Sequence, residues 1–115
     1  PLPGPGLVVG DGLLDADRAL VSAFAGAVLR AQKAIAANVD LGLQDAIAEV
    51  PTIAEDTETA RAVLSATVEL WRGASGAVSA AIDEGVWSTG YQTMVRLGLV
   101  DGSVPVTDMY DQVLP

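Results

Sequence analysis

Leu20-Val21-Ser22-Ala23-Phe24-Ala25-Gly26-Ala27-Val28-Leu29-Arg30-Ala31 is the stretch on which the fold turns. Leu20, Val21, Phe24, Val28, Ala31 and then Ile35 recur at the spacing of one helical face. A half-buried strand would instead place its apolar residues two apart. The spacing predicts a helix from about Ala16 to Ala37, ending near Asn38. Asp15 is its expected N-cap, with Asp17 in the first turn to complement the helix dipole. Further along, Asp40 is expected to cap a shorter helix, about Leu41 to Glu49. Pro51 closes it, because the residue before a proline is driven out of helical conformation. Asp56 is expected to cap a third helix, about Thr57 to Arg72, whose stripe is Ala60, Val63, Leu64, Thr67, Leu70 and Trp71.

Downstream, Gly73 and Gly76 interrupt the pattern. Ser75 is expected to cap a short helix bearing Ala77, Val78, Ala81 and Ile82, with Gly85 ending it. Ser88 caps the next, whose face is Tyr91, Met94, Val95 and Leu97. Gly98 falls where a left-handed residue closes a helix, and Leu99-Val100 is expected to fold back over that end. Thr107 opens a last short turn carrying Met109 and Tyr110. Upstream, residues 1–6 are a Pro/Gly-rich lead with no room for regular structure. Leu7-Val8-Val9, closed by Gly10, reads as a short strand, and a strand of that length needs a neighbouring sheet. Nothing else in the chain is a convincing partner for it. The expected fold is mostly α, five or six helices with one short N-terminal strand, the helical segment occupying residues 7–115.

Composition narrows the chemistry. At 115 residues the chain is one domain at most. Half of it is hydrophobic, much of that Ala and Val, while aromatics are only 4%, so a core would be built from small side chains. The formal net charge is −9, and the six basic residues, Arg18, Arg30, Lys33, Arg61, Arg72 and Arg96, are scattered. That gives no patch for nucleic acid phosphates, so no nucleic-acid partner is expected. The acidity serves solubility, with a cationic partner as the alternative. There is no cysteine and no histidine. Disulfides, thiolate metal sites, cysteine nucleophiles and histidine acid–base catalysis are therefore excluded. No apolar run reads as long enough to span a bilayer, and residues 1–6 lack the basic and apolar regions of a signal peptide.

Three acidic clusters invite a functional reading. Asp11, Asp15 and Asp17 alternate like part of a calcium loop. That loop needs a glutamate at its twelfth position, which falls on Ser22 or Gly26, so capping is the better account. Glu55, Asp56 and Glu58 stand at a helix start, where carboxylates are favourable. Asp108 and Asp111 flank Tyr110 as a surface turn or a docking contact. Trp71 continues a helical stripe and reads as packing rather than a sugar platform. Trp87, just ahead of a helix, reads as a hydrophobic staple. Gly4-Pro5-Gly6 and Gly10-Asp11-Gly12 lack the lysine of a phosphate loop. Ser22, Ser65, Ser75, Ser79, Ser88 and Ser103 have no base partner and no nucleophile-elbow context. No catalytic residue, metal ligand or cofactor is expected, and no ligand-binding residue is identified.

Several segments together resemble a known family. They are Gly6-Leu7-Val8-Val9, the stretch from Leu20 to Ala31, Asp56-Thr57-Glu58-Thr59-Ala60-Arg61, and Gly85-Val86-Trp87-Ser88 with Tyr91. Arg96-Leu97-Gly98-Leu99-Val100 and Asp108-Met109-Tyr110 with Leu114-Pro115 follow. Their order is similar to that in the C-terminal part of periplasmic substrate-binding proteins of the nitrate, sulfonate, taurine and thiamine-precursor type. The family's proline before the first helix is absent, with Ala16 in that region, and Gly73 to Glu84 is more alanine-rich. The resemblance implies part of a two-lobed α/β binding protein, extracytoplasmic (periplasmic or lipid-anchored), that serves an ABC importer without catalysis. Its implied partners are its own first lobe and sheet, a membrane permease, and a small solute held only by the complete protein. An alternative from another class is a small helical module that dimerises through alanine-rich faces. On either reading the isolated chain is expected to self-associate.

Overall fold

The computed structural model describes residues 6–72 and 76–114. Five α-helices follow one another: α1 Asp11–Ala16, α2 Arg18–Ala37, α3 Val39–Glu49, α4 Thr57–Trp71 and α5 Glu84–Arg96. Two short 3-10 turns, Pro51–Asp56 and Val106–Asp108, complete the elements. The chain divides into two compact units, Gly26–Ser79 on one hand, and Pro1–Ala25 with Ala80–Pro115 on the other.

The expected N-terminal strand is not formed. Residues 7–9 carry no strand structure, Val8 is 98% exposed, and among the described residues the only strand-type pairing is an isolated bridge between Arg72 and Val78. Three β-favouring side chains do not hold an extended ladder when no second strand lies beside them. The fold is α-helical without a sheet among the described residues.

The caps explain most helix boundaries. Asp17, not Asp15, accepts from the Leu20 amide at 2.9 Å, so α2 begins at Arg18. The acidic stretch ahead of it forms α1, a separate turn and a half. Asn38, not Asp40, caps α3, accepting from the Leu41 amide at 3.1 Å. Asp40 is thereby freed to pair with Arg61 of α4, tying α3 to α4. Pro51 does end α3, and the Pro51–Asp56 turn it opens leads directly into α4. Asp56 accepts from the Thr59 amide at 2.9 Å, as expected.

The second half departs further. Gly85 and Ser88 lie inside α5, whose cap is Asp83, accepting from the Val86 amide at 3.0 Å. The short helix expected over 77–82 is not formed, and Ser75, its proposed cap, lies outside the described residues. Gly98 has φ +70°, and the amides of Gly98 and Leu99 donate to the carbonyls of Val95 and Met94, a Schellman closure. Leu99 does not tuck over the helix end; it is exposed. The last turn begins from Pro105 rather than Thr107.

Among the described residues of Gly26–Ser79, the buried large apolar side chains are Leu43, 5% exposed, and Val68, 2% exposed. Gly42 is buried as well, and a Cβ there would stand 2.9 Å from Ile35 Cγ1, so the Ile35 side chain of α2 packs directly on the Gly42 backbone of α3. One expectation about membranes is corrected. α2 spans 20 residues at mean hydropathy 1.3, long and apolar enough by length and composition to cross a bilayer. Arg30 and Lys33 in its second half, and its one-sided stripe, are equally those of an amphipathic helix.

Candidate interaction surface

Each of the two units leaves large apolar side chains of its helices in water. On α2, Leu20 and Phe24 stand one turn apart and are 55% and 61% exposed. On α4, Val63 and Leu70 are 60% and 73% exposed. These positions come from the stripes that the sequence marks as core-facing. In α4 the helix turns Val68, which the stripe leaves out, inward instead, while Val63 and Leu70 face water.

An apolar groove runs between α3, the Pro51–Asp56 turn and α4. Leu43, Ala46, Ile53, Ala60, Val63 and Leu64 line it, around an open volume of about 340 Å³. Among the described residues, Thr67 is the one polar side chain that lines it. Such a lining suits another apolar surface and offers no converging donors to hold a polar solute.

The residues singled out as possible sites do not converge. Asp11 and Asp15 are exposed on α1, Asp17 caps α2, and Glu55 is exposed in the turn ahead of α4. Asp56 caps α4 and Glu58 sits in its first turn. Among the described residues no group of three or more acidic side chains is gathered closely enough to hold a metal ion. Hydrogen bonds from Thr59 hold the Asp56 carboxyl below its ordinary range. Trp71 is half-buried in the last turn of α4. Trp87 is no staple ahead of a helix. It sits in the first turn of α5, its ring 5.4 Å from that of Tyr110. Burial, with the nearby charge of Glu84, raises the Tyr110 hydroxyl above its usual value.

Asp111 does take part in a contact, with Arg18 at the start of α2. The Arg18 guanidinium meets both carboxylate oxygens, with Nη1 2.8 Å from Oδ2. These hydrogen bonds, helped by the positive charge, lower the Asp111 carboxyl from its ordinary range. One turn along, the Ser22 hydroxyl donates to the Val113 carbonyl at 2.7 Å. The Gln112 amide accepts from the Ile82 backbone at 2.9 Å and donates to Ala80 O at 3.3 Å and to Leu114 O. Ser22, dismissed as a nucleophile, is thus a tether. Arg18 and Gln112 carried no local signal, because their partners lie 93 and 30 positions away.

No protein-family model matches this chain, and comparison with curated proteins and with solved structures found no match.

Proposed function

We propose that this chain is the helical closing portion of an extracytoplasmic solute-binding protein that delivers a small organic or anionic solute to an ABC importer. The observation that carries the reading is a set of well-capped helices whose apolar stripes face water. Phe24, Val63 and Leu70 are each at least 60% exposed, on helices capped at their N-termini by Asp17 and Asp56. Helices of this kind cover something. In the resembling family that something is the first lobe and sheet of the same protein, and the ordered motifs from Leu20 to Tyr110 support it. The chain is then a binding component, with a permease as its further partner, and it does no catalysis.

The reading frame that carries this sequence should encode a first lobe and an export or lipoprotein signal. Its whole product should bind one small solute in calorimetry, with this chain alone binding none of sulfonate, nitrate, taurine or pyrimidines. Micromolar one-to-one binding by the chain alone contradicts the proposal, as does a frame without a first lobe.

One observation favours a second reading. Ala23, Ala27, Ala31 and Ala34 form an exposed row along α2, which suits close approach of another helix in a small dimerising module. A reading frame confined to this chain, with a two-fold dimer joined through that row, selects it.

A further inference from the structure

Residues 110–114 touch three separate parts of the chain, and mostly through side chains. Asp111 and Val113 engage the first two turns of α2, at Arg18 and Ser22. Gln112 engages the backbone of Ala80 and Ile82. Tyr110 engages Trp87 in the first turn of α5. All of these belong to one compact unit. We propose that residues 110–114 form a releasable clasp that holds the start of α2, the 80–82 segment and the start of α5 together, and that opens without unfolding the rest of the chain.

Two observations make the clasp both useful and weak. Arg18 occupies the first position of α2, where the helix dipole disfavours a cation. Asp111 brings a carboxylate to that place and offsets the mismatch. The ion pair is nonetheless open to water, its side chains 52% and 38% exposed, so salt screens it and its hold is modest. A contact of that kind closes or opens in response to ionic strength or to a competing partner for Arg18. A buried pair would not.

Amide exchange on the full chain at low concentration tests this. With Asp111→Ala alone, which leaves Gln112 in place as the acceptor, the Ile82 amide should exchange about tenfold faster or more if the clasp opens as one local unit. Emission from Trp87, isolated in a Trp71→Phe background, should shift as Tyr110 leaves. The Thr59 amide in α4 should keep its rate. High salt should move the wild-type chain the same way, and the exchanged pair Arg18→Asp with Asp111→Arg should recover the slow rates. Unchanged exchange at Ile82 overturns the clasp. Equal acceleration at Thr59 overturns it too, because the contacts would then be part of one global fold.

Discussion

Gly42 shows how a single hydrogen atom in place of a methyl positions two helices. In most helices Gly→Ala stabilises by about 1 kcal/mol. Here the added carbon would lie 2.9 and 3.0 Å from the two γ carbons of Ile35 and 3.3 Å from its Cβ. The clash involves the base of a branched side chain, which cannot swing away, so it outweighs the propensity gain. Gly42→Ala should therefore destabilise by about 1–3 kcal/mol, measured by urea titration, and that penalty should largely vanish when the same substitution is made in an Ile35→Ala background. A second residue-scale case is Gly98. Its φ of +70° is a conformation that L side chains rarely adopt. A Cβ added there would meet nothing within 4 Å, so Gly98→Ala tests backbone strain alone. It should cost about 1 kcal/mol, read as a lower urea midpoint with an unchanged slope.

At the scale of elements, caps decide where the helices begin. Asn38→Ala should lower stability by about 1 kcal/mol, because the Leu41 amide loses its acceptor. Asp56 adds a pH dependence of known sign. Its carboxyl is held below its usual value in the folded chain, so its contribution is present above the unfolded-state value. That contribution is lost as pH falls through the lower, folded one. Asp56→Ala should remove this acid-side component from a plot of stability against pH. An unchanged plot would take Asp56 out of the capping role. The elements were legible in unequal measure. Leu20, Phe24 and Val28 announced α2, Asp56 announced α4, and Gly98 announced the end of α5, because periodicity, capping and left-handed backbone are local properties. Asn38 reads as the end of α2, with Asp40 two residues on as the more obvious cap, and Asp83 is passed over because Gly85 reads as a helix stop and Ser88 as the next cap. Leu7-Val8-Val9 misleads, because β propensity records how a side chain fits a sheet, and no sheet is formed among the described residues. The Arg18–Asp111 and Gln112–Ile82 contacts were invisible, because pairing across such distances leaves no local pattern.

For the whole molecule the deciding quantity is surface. The chain exposes 8050 Å². A compact protein of 11.7 kDa is expected to expose about 5,900 Å². Two separate globules of half that mass would still expose only about 7,100 Å². Exposed apolar positions on the helices, among them Phe24, Val63 and Leu70, contribute to that excess, together with exposed irregular segments such as Leu7, Val8, Leu97, Leu99 and Val104. Burying an exposed side chain such as Phe24 or Leu70 contributes about 1.5–3 kcal/mol. Association costs on the order of 4–15 kcal/mol in lost freedom of motion. A handful of such residues, out of those left in water, is enough to offset that cost. The net charge of −9 works against two copies meeting, so salt should strengthen association rather than weaken it.

Multi-angle light scattering on the purified chain at micromolar concentration, in low and in moderate salt, tests the central claim that these helices need a covering surface. The claim predicts dimers or larger species, whose share grows with salt and falls when Phe24 and Leu70 are replaced together by glutamine. A salt-independent monomer that unfolds in one sharp cooperative transition would contradict it, because the helices would then form a self-sufficient fold despite Phe24, Val63 and Leu70 in water.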